Sequence, residues 1–217
     1  MLSVQQLRVN GRRNDLLPPT SFEVRPGELL LAAGDRQDQR TALALAVSGR
    51  MRPSSGTAGW DGSTRVAALR RVSSLVDSPG VNEPEQHLSV RDLVTEDLAL
   101  VPRRHHGALR GTAWLKMNDF EDLAGLWAEQ LPARRRIQLL TALALANPAT
   151  DLLVLDSPDR HGGDPDDWLP QLDALARDAG RPLAVVAAVT RIPDSWTGPA
   201  AVIGNAENLL PETEDAK

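Results

Sequence analysis

The sequence predicts an α/β fold with a mostly parallel core sheet, and three observations predict it. Residues 28–33 and 183–189 are apolar almost without interruption, as is typical of strands buried on both faces of a parallel sheet. The first of these runs ends at Gly34 and a polar loop, and a helix rich in Ala and Leu follows over about residues 40–48. A mostly helical stretch over 85–147 then separates this part from the later strands.

The elements follow from the N-terminus in order. Leu2 to Val9 and Ser21 to Val24 predict short N-terminal antiparallel strands, and the turn 25–27 leads from them into the core. Gly49 follows the first helix, as a C-terminal cap does. The last third predicts a strand over 152–155, a helix over 168–179 and the strand over 183–189.

The stretch 85–147 is predicted to be a helical subdomain within a single domain of residues 1–217. Its apolar residues recur at helical spacing. They are Val90, Leu93, Val94, Leu98, Leu123, Leu126, Trp127, Ile137, Leu140, Leu143 and Ala144. At such spacing we expect the large side chains of Trp114 and Trp127 to lie in the core.

The amino-acid composition excludes several classes of function. The 217 residues include 24 Lys and Arg against 29 Asp and Glu, which gives a net charge of −5 and no global attraction to nucleic acid, so no nucleic-acid partner is expected. No cysteine is present, which excludes disulfides, cysteine-bound metals and thiol catalysis. No run of apolar residues is long enough to span a bilayer, and no basic leader precedes an apolar run, so we expect a cytoplasmic protein.

The strand, glycine-led loop and helix at 28–48 have the layout of a phosphate-binding loop. Against the pattern G-x-x-x-x-G-K-[ST], the chain has Gly34 and Thr41 but Gln39 for the second glycine and Arg40 for the lysine. Arg40 keeps the charge in a larger, planar group. Asp35 and Asp38 add carboxylates that are expected to repel a triphosphate. These changes predict weak polyphosphate binding at most.

Over about residues 2–204 the chain resembles the ATP-binding cassette (ABC) family, the nucleotide-binding subunits of ABC transporters. The segments 88–92, 142–148 and 152–158 resemble three conserved stretches of that family, the last being its Walker B strand. Further matching positions are Leu7, Ser21, Phe22, Pro26, Gly27, Glu28, Leu43, Gly49, Pro53, Ser55, Gly56, Trp60 and Gly62. The resemblance implies a P-loop fold of the cassette type with a helical subdomain.

The resemblance also implies that the catalytic motifs are degenerate, including the Walker A loop. The family's adenine-stacking aromatic falls at Gly11, its Q-loop glutamine at Asp77, its catalytic glutamate at Ser157 and its switch histidine at Arg191. Its signature motif falls at 131–135, without the serine and glycines, and its D-loop aspartate falls at Asp164 with one extra residue before it. No catalytic residue is therefore assigned.

A residual ligand site follows from the same resemblance. Gly34, Arg40 and Thr41 would hold ATP weakly, and Thr41, Asp77 and Asp156 would hold Mg²⁺ if it binds. Thr41 and Asp156 are alternatively structural remnants without a metal. The run 134–136, with 103–106, is either an anion-binding face or a solvated helix end.

Three functions follow as hypotheses, of which one, a soluble ABC-like protein that acts on nucleic acid through its basic insert, is disfavoured by the net charge of −5. In the first, the chain is a pseudo-ATPase subunit that docks on a membrane permease or an ATPase partner, at the inner face of the membrane. In the alternative, it is an atypical ABC ATPase that binds and hydrolyses ATP to power transport. A homodimer would not be driven by nucleotide. A groove lined by 76–81 and 85–98, including Leu88 and Val90, would receive the permease.

Overall fold

The computed structural model of the protein describes residues 1–101 and 111–206. Its strands form two sheets. The strands are β1 (Leu2–Asn10), β2 (Asp15–Val24), β3 (Leu29–Ala33), β4 (Ser55–Trp60), β5 (Ser73–Val76), β6 (Leu152–Asp156), β7 (Ala184–Val189) and β8 (Ala200–Val202). An antiparallel sheet has the order β2-β1-β4, and a parallel sheet has the order β5-β6-β7-β3-β8. The predicted α/β fold class is thereby confirmed, although β2 is longer than expected.

Six α-helices lie within the described residues. They are α1 (Gln37–Val47), α2 (Val66–Val72), α3 (Val90–Leu100), α4 (Gly111–Met117), α5 (Ala133–Leu145) and α6 (Pro165–Ala176). Helix α1 begins three residues before the predicted start, because its first turn is polar and gives no apolar periodicity. Helix α6 also begins three residues early, because the Asp164 side chain caps it by accepting a hydrogen bond from the Asp166 N–H at 3.0 Å.

The core lies on both faces of the parallel sheet. Every residue of β3, β6 and β7 is buried. Along β3, Leu29 and Leu31 pack with the helical insert and α6, whereas Leu30 and Ala32 pack with α1 and the antiparallel sheet. Because the sheet is parallel, the carboxyl ends of β5, β6, β7 and β3 lie along one edge, next to the loops that follow them.

The helical insert contains α3, α4 and α5. Trp114 is buried and stacks on Phe120 with ring centroids 6.0 Å apart, as its predicted core position requires. The prediction that Trp127 lies in the core is wrong, because its exposed fraction is 46%. Trp127 precedes a short 3₁₀ helix, Ala128–Gln130, so the α-helical spacing that predicted its burial does not apply. The predicted basic segment 103–106 lies outside the described residues.

Across residues 1–101 and 111–206, none of the helices combines the length and the apolar character that crossing a membrane requires.

Two glycines with positive φ offer a matched test of the β1–β4 contact. Gly56 has φ +70°, and a Cβ there would lie 2.0 Å from the Gln6 carbonyl oxygen. Gly62 has φ +81°, and a Cβ there would meet no atom within 4 Å. We expect Gly62→Ala to lower the free energy of unfolding by about 1 to 2 kcal/mol through the left-handed backbone alone. Gly56→Ala should cost clearly more, since backbone atoms must also shift. Urea unfolding measures both variants, and equal losses would contradict the steric account.

Candidate functional site

The Arg40 guanidinium lies inside the loop that the phosphate-binding pattern predicts. Only 6% of Arg40 is exposed. Its Nη1 donates to the carbonyl oxygens of Gly34 at 2.6 Å and Asp35 at 3.0 Å. Its Nη2 donates to Gln37 Oε1 at 2.7 Å, and its Nε donates to Ser157 Oγ at 2.9 Å. The cation is thus enclosed by oxygens of its own loop and of the turn after β6.

This arrangement has the opposite polarity to an anion cradle. A phosphate-binding loop turns successive backbone N–H groups inward so that they donate to phosphate oxygens. Here two backbone carbonyls, those of Gly34 and Asp35, point at the centre of the loop and are bonded by Arg40. A phosphate entering this loop would have to displace the guanidinium and meet carbonyl oxygens.

Asp156 is the second centre of the site, and it is 1% exposed. Its Oδ2 accepts hydrogen bonds from Thr41 Oγ1 at 2.8 Å and from Ser78 Oγ at 2.7 Å, and its Oδ1 accepts one from Ser157 Oγ at 2.9 Å. The Gln37 amide nitrogen lies 3.1 Å from both Thr41 Oγ1 and Asp156 Oδ1. The structure therefore brings Gly34, Arg40, Thr41 and Asp156 together, with Gln37 between them.

Asp77 belongs to a separate set of contacts at the end of β5. It has φ 57° and is 7% exposed. Its Oδ2 accepts from Arg136 Nε at 2.8 Å, its Oδ1 accepts from Arg136 Nη2 at 2.8 Å and Arg160 Nη2 at 2.9 Å, and His161 Nε2 lies 2.8 Å from Oδ2. Burial acts to raise the pKa of Asp77, but the hydrogen bonds from Arg136 and His161 and the nearby arginine charges outweigh it. The pKa therefore lies below its usual range, and Asp77 is ionised.

The oxygen atoms of Thr41, Asp156 and Asp77 can be compared with the ligands that a divalent cation requires. Thr41 and Asp156 offer the hard oxygen ligands that Mg²⁺ prefers. Both Asp77 oxygens are already bonded by Arg136, so Asp77 does not fit the same ion without losing those bonds. Asp77, Glu83 and His161 also place ligand atoms within 4.8 Å of one another, but Arg160 bonds both carboxylates there. The assignment of magnesium ligands stays a prediction.

The surroundings of the two loop carboxylates, Asp35 and Asp38, differ from those expected of groups that repel a triphosphate. Asp38 forms an ion pair with Arg36, with Arg36 Nε 2.9 Å from Asp38 Oδ1, and it also accepts from the Gln39 N–H at 3.0 Å. The hydrogen bond from Arg36 lowers the pKa of Asp38. The predicted repulsion by Asp38 is thus offset by an exposed neighbouring cation, and Asp35 is exposed at the surface. Obstruction by Arg40, rather than repulsion by carboxylates, is the main feature of the loop.

The arginine run 134–136 does not form one face. Arg134 is exposed, Arg135 lies 5.0 Å from the Phe120 ring centroid and bonds Asp122 at 2.7 Å, and Arg136 is buried against Asp77. Successive helical residues point about 100° apart, which separates the three side chains. Neither the anion-binding face nor the solvated helix end describes this run.

Ser157 and Gly11 are two further motif positions whose surroundings affect nucleotide binding. Ser157 is fully buried with φ 54°, and its hydroxyl is bonded within the site. At Gly11, a Cβ would lie 2.3 Å from the Asn14 carbonyl oxygen, so an aromatic side chain cannot be placed there on this backbone. Arg191 and Asp164 lie outside these contacts, with Arg191 exposed and Asp164 capping α6.

A groove of about 240 Å³ lies between the end of β5, the C-terminal half of α3 and α5. Its lining includes Val76, Asp77, Asn82, Asp97, Leu100, Leu140 and Leu143. The expectation that Val90 lines this groove is wrong, because Val90 is fully buried in the core, and Leu88 packs partly buried against the same cluster. The second half of α3, with Leu100 exposed by 84%, takes their place.

Comparison with known proteins supports the fold. No protein-family model matches the sequence, and no curated protein matches it. CbiO1 of Clostridium perfringens, part of the ABC transporter complex CbiONQ, superposes with a TM-score of 0.61 at 19% identity over 88% of this chain and 78% of its own. A putative ABC transporter ATP-binding protein of Pyrococcus furiosus gives 0.64 at 15% identity over 93% and 96%. A bacterial ABC transporter cassette solved as a dimer gives 0.62 at 17% identity over 88% of both chains. The protein therefore has the fold of ABC transporter ATP-binding cassettes.

Asp97 in the groove gives a pH-dependent prediction. Burial raises the pKa of its carboxyl to about 6 from 3.8, and the neighbouring charge of Glu96 adds to the rise. The folded protein therefore holds this proton more tightly than the unfolded chain, and stability falls as the pH rises from about 4 to above 6. We expect Asp97→Asn to match the parent near pH 4 and to be more stable by roughly 1 to 2 kcal/mol at pH 8. Denaturant unfolding at both pH values measures the difference.

The control is Glu121→Gln, which removes an exposed carboxylate from the same insert. Its stability difference from the parent should change by no more than a few tenths of a kcal/mol between the two pH values. A gain for Asp97→Asn that is independent of pH would contradict the assignment.

Proposed function

We propose that this protein is a cassette-fold subunit that does not hydrolyse ATP and that acts by docking on a membrane permease or on an ATPase partner. The observation that carries the proposal is the position of Arg40. Its guanidinium is buried and bonded to the carbonyl oxygens of Gly34 and Asp35. The space where a phosphate would lie is thus held by a side chain of the protein itself.

Residues of the same region also support the proposal that ATP is not hydrolysed. Attack by water needs a group that orients it and accepts its proton. Ser157 stands where the family places a glutamate, and a hydroxyl has no basicity near neutral pH. The bare position at Gly11 also forgoes base stacking, which contributes about 1 to 3 kcal/mol per base in nucleic-acid complexes. Both observations support weak nucleotide binding without turnover.

Docking is supported by the groove between α3, α5 and the end of β5. It combines apolar walls from Leu140 and Leu143 with the exposed Leu100 at its edge. The cassette CbiO1, to which the chain is similar, is part of an ABC transporter complex. We therefore propose a permease or a second cassette as the partner, with the protein at the inner face of the membrane.

One observation favours the alternative of an atypical ATPase. Thr41 Oγ1 and Asp156 Oδ2 lie 2.8 Å apart, so two oxygens of a magnesium site are already adjacent. In this alternative Arg40 and Gln37 would move out of the loop when Mg·ATP enters. At least four hydrogen bonds of Arg40 would then have to be replaced by contacts to phosphate.

The first test is nucleotide binding and turnover. Calorimetric titration of the protein with Mg·ATP should give no dissociation constant in the low micromolar range, because Arg40 occupies the loop. Ser157→Glu alone should restore no turnover, since it supplies a carboxylate without a bound triphosphate. Thr41→Ala is the control, and phosphate release by Ser157→Glu above that control would favour the ATPase alternative.

The second test is docking. Leu100→Asp places a charge at the rim of the groove, and it should abolish co-purification with a permease co-expressed from a neighbouring gene. The free energy of unfolding should change by less than about 0.5 kcal/mol, because Leu100 is exposed. Met117→Asp is the matched control, since Met117 is 66% exposed on the same insert but does not line the groove. Equal association of both variants with the permease would count against the groove.

A further inference from the structure

The helical insert and the core meet at a buried salt bridge between Asp77, after β5, and Arg136, in the first turn of α5. Two parallel hydrogen bonds of 2.8 Å join the carboxylate to the guanidinium. The side chains are only 8% and 6% exposed. Because the guanidinium is planar and bonds through two nitrogens, this contact fixes orientation as well as distance.

A third element completes the contact. Arg160, in the turn after β6, donates from Nη2 to Asp77 Oδ1 at 2.9 Å and to Glu83 Oε1 at 3.1 Å. Its Nη1 donates to the Asp77 carbonyl oxygen and, at 2.7 Å, to the Asp156 carbonyl oxygen. We call Asp77, Glu83, Arg136, Arg160 and His161 the Asp77 cluster. It ties the insert to the same strand end that holds Asp156.

Charge balance makes the cluster an all-or-none contact. Two arginines face two carboxylates, and His161 adds a further hydrogen bond to Asp77. Neutralising Asp77 would leave the Arg136 cation buried without an acidic partner, which is strongly unfavourable. Partial opening would have the same effect, so the insert is held in one position or released.

The cluster also shapes the groove. Asp77 and Asn82 line one wall, and Leu140 and Leu143 of α5 line the other, one and two turns after Arg136. Asn82 is itself fixed, since its Nδ2 donates to the Leu75 carbonyl oxygen at 2.7 Å and its Oδ1 accepts from the Ser78 N–H at 2.8 Å. The Asp77–Arg136 contact therefore joins the two walls of the groove.

We propose that the Asp77 cluster locks the helical insert to the core in one orientation in the absence of nucleotide, so that the groove is already formed without one. The purpose of this lock rests on the proposed docking function, because a subunit that binds no nucleotide needs a groove that is formed without one. The lock itself depends only on the contacts of the cluster.

Pulsed electron paramagnetic resonance tests the lock on the full chain. The protein has no cysteine, so Met117→Cys on the insert and Arg71→Cys on α2 of the core give two exposed labelling sites. The parent should give one narrow distance distribution without nucleotide. Asp77→Asn should broaden it or add a second population, and amide hydrogen exchange in α5 should become at least tenfold faster. Asp122→Asn, which removes the exposed partner of the neighbouring Arg135, should leave both measurements as in the parent.

Arg136→Lys keeps the charge but loses the two-point bond, and it should loosen the insert in the same direction if Asp77→Asn does not fold. An unchanged distance and unchanged exchange in a folded cluster variant would overturn the lock, as would an equal effect of Asp122→Asn. A shift of the parent distance on adding Mg·ATP would instead overturn the proposed function, since it requires nucleotide binding. The two failures are thus distinguishable.

Discussion

The site is organised by the need to satisfy one buried carboxylate. Asp156 is buried at the end of β6, and a polar group in that position must be hydrogen-bonded. Its donors come from three different segments: Thr41 in α1, Ser78 after β5 and Ser157 in the turn after β6. Satisfying Asp156 therefore draws together helix α1, the loop after β5 and the turn after β6.

The position of the Arg40 guanidinium depends on the hydrogen bonds around Asp156. Ser157 Oγ donates to Asp156 and accepts from Arg40 Nε, so the hydroxyl transmits the position of the carboxylate to the guanidinium. Gln37 does the same from the other side, with its amide nitrogen near Asp156 and its carbonyl oxygen accepting from Arg40. A polar network in which every member has a partner is rigid and stable in a low-dielectric interior. The side chains of this network thus satisfy one another within the protein.

The sequence predicted the fold better than the site. Continuous apolar runs identified β3, β6 and β7, because strands buried on both faces need apolar side chains at every position. Gly34, Arg40, Thr41 and Asp156 could be located from motif spacing. Gln37 and Arg136 could not, since Gln37 contacts a residue 119 positions away and Arg136 one 59 positions away. A charge run in the sequence gives no sign that one of its three arginines is buried in an ion pair.

The β1–β2 turn has a consequence for how this protein can change over evolutionary time. Any side chain at Gly11 would collide with the Asn14 carbonyl oxygen, so an aromatic ring cannot be placed there unless the turn itself changes. Replacing Arg40 alone would remove its four hydrogen bonds, and replacing Ser157 alone would break the link between Asp156 and Arg40. Each of these substitutions is therefore unfavourable when it is made alone. The packing of the folded state thus resists stepwise change at these positions, and a different arrangement of the site requires several substitutions together.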